Sequence, residues 1–183
     1  MSFKAFLDAA KAIVTLGAST NATARQEIRN VVGELADELD RALSLTDSCL
    51  VGAKFSADDR ELVHYLADVD GKLRGSFHEH HICAGLHHLA DKFGQLFDPT
   101  RFSVSIAHHA AIPTLVNKLQ NREQVVIDDL EDMVNKLRDC SSRLYDGKMS
   151  RAEVLAAVEA QREDIAQHRQ AVKDERRTLL GKL

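Results

Sequence analysis

Tryptophan is absent from the 183-residue chain, proline occurs only twice, glycine nine times, and aromatic side chains make up 5%. So few breakers and aromatics exclude a turn-rich β architecture and point to an all-helical protein. Cysteine is scarce as well. Cys49, Cys83 and Cys140 lie far apart with no CxxC spacing, which excludes a disulfide framework and reads as reduced thiols. No apolar run approaches the ~20 residues that a bilayer-spanning helix needs. Asp8 and Lys11 interrupt the apolar stretch a secretory signal would require. Basic residues are not in excess: the net charge is −4 and the pI ≈ 6.1, against a dedicated nucleic-acid binder. The nucleophile-elbow, Walker and Rossmann glycine patterns are all missing, so no catalytic fingerprint is present.

What is present is a single domain's worth of helical periodicity. Phe3, Phe6, Leu7, Ala10, Ile13, Val14 and Gly17 share one face of a short amphipathic helix, residues 3–17. That helix docks on a bundle or inserts into a membrane surface or a partner groove; its polar face is not strongly cationic. Thr23 and Gln26 match a capping box for a second helix, from about residue 23 to 51 and roughly 43 Å long. Its stripe is Ile28, Val32, Leu35, Leu39, Leu43 and Leu50, and Gly52 is placed to end it. Asn21-Ala22-Thr23, a glycosylation sequon by pattern, reads as helix-start chemistry without a secretory signal. Ser56 and Asp59 match a further capping box, followed by Leu62, Leu66, Val69, Leu73 and Phe77. Past Gly75 the stripe jumps to a nearly opposite arc, Ile82, Leu86, Leu89, Phe93 and Phe97, which predicts a kink or break between Gly71 and Gly75 or one helix crossing the centre.

Asp98-Pro99 stops that helix, and residues 99–112 form a packed loop. Pro113 opens the next, with Leu115, Leu119, Val126, Leu130, Met133, Leu137, Cys140 and Leu144, closed by Gly147. Ser150 and Glu153 form the clearest capping box. The last helix carries only Val154, Val158, Ile165, Val172 and Leu179 amid charges of both signs. It is expected on the outside of the bundle or paired with another copy.

Eight of nine histidines fall between His64 and His109, five of them in residues 78–88. Helical metal chelates need ligands one turn apart, and Cys83, His87 and Asp91 stand at i+4 steps, with His80 at i−3 from Cys83. This row nominates His80, Cys83, His87 and Asp91 for zinc or another transition metal, with His64, His88, His108 and His109 as further candidates. A closed ligand set is not visible along one helix. The two-Glu-x-x-His pattern of di-iron bundles is half met, by Glu61 and His64 only. Two other readings compete: a pH-responsive interface, since clustered histidines charge together near pH 6, and semi-buried packing, the commoner use of helical histidine. Cys83 beside His80 or His87 lacks the orienting third group of a catalytic nucleophile.

The expectation is therefore an all-α fold, a bundle of long antiparallel helices of four-helix-bundle type. It has three parts: an N-terminal amphipathic helix (1–17), a bundle core (22–147) and a charged C-terminal helix (150–183). In gross layout, though without a shared motif, it resembles the helical bundles of HeLo and mixed-lineage-kinase type. That resemblance implies regulated membrane disruption and carries over no residue. The leading expectation is a non-catalytic, oligomeric protein–protein interaction or assembly module in the cytoplasm, without a cofactor. The runner-up is a membrane-acting effector, peripheral at a membrane through Phe3, Phe6, Leu7, Ile13 and Val14. The third is a metal-binding protein using the histidine row.

Overall fold

The computed structural model describes Lys11, Val14, Thr15 and residues 22–78 and 131–183. The expected stripe 82–97, the loop 99–112, the helix start at Pro113 and the side chains of Leu35 and Phe77 lie outside the described residues. Every regular element described is helical, so the protein is all-α. No described helix is long and apolar enough to cross a membrane.

Helix α1 spans Ala22–Val51 and passes into a single 3₁₀ turn, Gly52–Phe55. Helix α2 spans Asp59–His78. Helix α3 is described over residues 131–145, and α4 spans Arg151–Leu180. All four contribute to one hydrophobic cluster. α1 gives Ile28, Val32, Leu39, Leu43 and Leu50; α2 gives Leu62, Leu66, Val69 and Leu73; α3 gives Met133, Val134, Leu137 and Leu144. The five apolar residues expected of the last helix are the ones buried in α4: Val154, Val158, Ile165, Val172 and Leu179.

That helix does not keep its stripe for a second copy, one of the two placements that its thinness predicted. It packs along α1 of its own chain, because a row repeating every seven residues matches a row of α1 at the same step. Ion pairs set the direction. Asp47 meets Arg162 at 2.9 Å, Asp40 meets Arg169 at 2.8 Å, and Asp37 meets Arg176 at 2.5 Å. As the numbers fall on α1 they rise on α4, so the two helices run antiparallel. A second antiparallel seam joins α2 to α3. Asp70 takes Arg138 at 2.6 Å and Arg74 at 2.9 Å, and Arg74 reaches Asn135 at 2.7 Å.

The helix ends follow local chemistry, with revisions. Ser150 and Glu153 form the predicted reciprocal capping box. Gly147 sits at φ 68°, and the bonds Lys148 N–H to Arg143 C=O and Gly147 N–H to Leu144 C=O complete a Schellman closure of α3. At α2 the cap is not Ser56. Asp58 accepts the Glu61 N–H at 2.8 Å and the Glu61 carboxylate accepts the Ala57 N–H, an acid pair two residues further on. Thr23 lies inside α1, and Gln26 bonds Asn30 at 3.1 Å instead of capping. α2 runs unbroken through Gly71 and Gly75, so no break falls there; glycine lowers helix propensity without ending a helix whose apolar face is buried.

α1 gives way to the 3₁₀ turn at Gly52 as expected, but the glycine is there for a close approach and not as a left-handed cap. A methyl group built on it would run into the Tyr65 phenol, whose hydroxyl donates to the Cys49 carbonyl at 2.8 Å. Gly52→Ala is expected to cost about 1–3 kcal/mol by overpacking. In a Tyr65→Leu background the same change should cost much less; an undiminished cost in a double-mutant cycle refutes the clash.

The Arg169 hydrogen bonds hold the Asp40 carboxyl below its ordinary 3.8, against partial burial and with help from Lys173. A depressed carboxylate stabilises the fold above its unfolded pKa, and that stability is lost as pH falls through the lower folded value. Asp40→Asn should therefore cost about 1 kcal/mol at pH 7 and almost nothing by about pH 2, read by urea unfolding at both pH values. Equal losses at the two would show that the ion pair is not the cause.

Candidate functional site

His64 is exposed on α2, and its i−3 neighbour Glu61 is committed to the α2 cap rather than to a ligand set. Among the described residues, no three of His, Cys, Asp and Glu come together to hold a metal ion. His80, Cys83, His87, His88, Asp91, His108 and His109 lie outside the described residues. Cys49 and Cys140 are half-buried, and burial pushes both thiols up, away from the thiolate a nucleophile needs. Of the proposed contact residues, Phe3, Phe6, Leu7 and Ile13 lie outside the described residues. Val14 is 0% exposed within the core cluster, and Lys11 Nζ stands 3.2 Å from Glu175 Oε2.

Beside its apolar row α4 carries a second row at the same seven-residue step: Val154, Gln161, His168 and Glu175. Val154 is buried and the other three are half-buried, so the seam turns polar towards its C-terminal part. His168 Nδ1–H donates to the Asp164 carbonyl at 2.6 Å. The Oε1 of Glu175 is shielded from solvent and takes no hydrogen bond among the described residues.

The Arg–Asp ladder flanks the seam. Asp40 and Asp47 step by seven, as do Arg162, Arg169 and Arg176. The next rung opposite Arg176 is residue 33, a glycine, whose added Cβ would sit 3.6 Å from Arg176 Nη2. Arg176 turns instead to Asp37. The missing side chain helps open a groove of ≈ 580 Å³ lined by Arg29, Asn30, Gly33, Glu34, Asp37, Arg176 and Leu180. Its walls carry two cations and two anions, so the groove has no preference for ligands of one charge.

The opposite end of the seam is different. There the 3₁₀ turn after α1 and the turn between α3 and α4 meet. The Arg151 guanidinium donates to the Ala57 carbonyl at 2.9 Å and to the Ser56 carbonyl, tying the two connections together. Phe55, in the 3₁₀ turn, is 73% exposed and Tyr145, the last residue of α3, is 81% exposed, with Lys54 Nζ 5.1 Å from the Phe55 ring centroid. Neither aromatic stands out in the sequence, because exposure depends on which turns meet. The Arg ladder, by contrast, has a sequence signal in its seven-residue spacing.

No protein-family model, curated protein or solved structure matches the chain.

Gly33 tests the ladder. Its added Cβ makes only ordinary van der Waals contact, so Gly33→Ala should stabilise by up to about 1 kcal/mol through helix propensity. Gly33→Asp should at least match it by supplying the missing rung. Chemical unfolding measures both, and destabilisation by Ala would show that the seam has no room there.

Proposed function

We propose that the chain is a non-catalytic interaction module of four-helix-bundle type that self-associates through the end carrying Phe55 and Tyr145. The carrying observation is the exposure of those two side chains, two of only nine Phe and Tyr residues in the protein. Scattered exposed apolar groups are ordinary, but here one aromatic projects from the 3₁₀ turn and the other from the end of α3, beside the point where Arg151 bonds the Ser56 and Ala57 carbonyls. Aromatic side chains are enriched at interface centres because they bury much area at low entropic cost. The polar seams support the same reading from the other side, since most of their charged groups are committed to helix–helix pairing. A membrane-acting bundle, the other reading, requires Val14 to leave the core.

Sedimentation over a concentration series tests the proposal. The wild-type protein should show a reversible, concentration-dependent rise in mass. Phe55→Asp with Tyr145→Asp should remain monomeric, with unchanged helicity and thermal midpoint because neither side chain is in the core. A wild-type monomer throughout, or a double variant that associates as the wild type does, defeats self-association through this end.

A further inference from the structure

Arg151 stands at the first position of α4, where a cation is poorly placed. The helix macrodipole puts partial positive charge there, and a carboxylate such as Glu153 is the favoured occupant of a first turn. The Nε of Arg151 is shielded from solvent and finds no hydrogen-bond partner among the described residues. An arginine disfavoured by its helix and incompletely satisfied needs a compensating contact. That contact is with the corner between α1 and α2. Nη1 donates to the Ala57 carbonyl at 2.9 Å and Nη2 to the Ser56 carbonyl. Among the described residues no backbone N–H bonds either carbonyl, so the guanidinium supplies the donors that the corner lacks.

The corner is anchored on both sides of Phe55. Before it, Ala53 is fully buried and the Tyr65 hydroxyl holds the Cys49 carbonyl. After it, Asp58 and Glu61 cap α2. Phe55 itself is mostly exposed, so its direction is set by the backbone more than by packing. The chain leaves helical geometry at the next residue, Ser56, with ψ 130°, and this is where Arg151 grips it. A binding group whose backbone is fixed beforehand gives up less conformational freedom on association.

We infer that Arg151 is a positioning residue for self-association, a role that rests on copies meeting through this end: its fork clamps Ser56 and Ala57 so that Phe55 is presented to a second copy in one direction. The fork matters more than the charge. Its donors stand in a fixed plane and hold two successive carbonyls, which an ammonium on a flexible stem does not do. Neighbouring cations are engaged elsewhere, Lys148 with Asp146 and Arg143 with Asp139.

Two measurements on the full-length protein test the role. One is sedimentation over a concentration series. The other is hydrogen exchange of the fragment carrying residues 52–58, at a dilution where the wild type is monomeric. Arg151→Gln should weaken association about tenfold and speed exchange of that fragment about tenfold, with the middles of α1 and α4 still protected. Arg151→Lys should weaken association nearly as much, because it restores the charge without the fork. Ile165→Val controls for lost stability alone. It lies about 21 Å along α4 from Arg151, and should lower the thermal midpoint without altering association. A wild type that stays monomeric defeats association through this end, and the positioning role with it. A wild type that associates, with Arg151→Gln associating equally, overturns the positioning role alone. So does weakened association without faster exchange of residues 52–58, full recovery in Arg151→Lys, or an equal loss of association in Ile165→Val. Thermal melts show which variants fold, and Arg151→Lys carries the same two measurements if Arg151→Gln does not.

Discussion

The seven-residue step shared by α1 and α4 is the constraint on which the other contacts depend. An undistorted helix advances 3.6 residues per turn, so a strict seven-residue row drifts by about 20° per repeat unless the two helices wind round each other. Val158, Ile165, Val172 and Leu179 keep such a row for the length of α4, and Val32, Leu39 and Thr46 keep one on α1. Thr46 is fully buried in that row because its hydroxyl is satisfied within the helix, donating to the Ala42 carbonyl at 3.0 Å. With this seam set, α2 follows α1 through the tight turn at Gly52, and α3 precedes α4 through the Gly147 turn. Asp70, bridging Arg74 and Arg138, then closes the other pair of helices. Burial works against the Asp70 charge, but hydrogen bonds from Arg138 and Arg74 outweigh it and hold the carboxyl below its ordinary range.

The apolar content of α4 is small for a helix of 30 residues. Five buried side chains leave most of its surface to charge, and the sequence alone reads that as an outer or intermolecular helix. The ladder accounts for the difference. Arg162 and Arg169 are each about a quarter exposed or less on their side chains, so their methylene stems cover the flanks of the seam while their guanidinium groups meet Asp47 and Asp40. Arginine therefore adds apolar cover that a count of hydrophobic residues omits. Each pair adds little by itself, but several at one spacing favour a single alignment.

How far the sequence disclosed this follows the range of the interactions. Ser150 with Glu153, and Gly147 after Leu144, were legible because their partners lie within a few residues. Ser56 misled because Asp58 and Glu61 offer the same local chemistry two residues later, and a carboxylate is the stronger acceptor for backbone N–H groups. Gly52 was placed correctly, but its reason, the Tyr65 ring, is thirteen residues away and invisible to turn statistics. The stripe of α4 was legible to the residue; its partner was not, because one helix's periodicity does not say which neighbour shares it. The histidine row shows the same limit. Spacing on one helix nominates Cys83, His87 and Asp91, whereas closing a ligand set needs a second element.

Repeating seams carry a hazard that this one avoids. A slip by one heptad keeps apolar rows in contact, so the rows do not by themselves exclude it. Sliding one way would carry Asp47 to Leu155 and leave its charge unpaired along the seam, with Arg169 at Gly33 where Arg176 now stands. Sliding the other way would keep Asp47 and Asp40 paired, with Arg169 and Arg176, but would set Arg162 against Lys54. The existing register avoids both penalties. Leu155 and Lys54, which would face Asp47 and Arg162 after a slip, are thus the residues that distinguish the correct alignment from its neighbours. Ionic pairing here selects among apolar contacts that are otherwise nearly equivalent, and the interruptions in the repeat matter as much as its rungs.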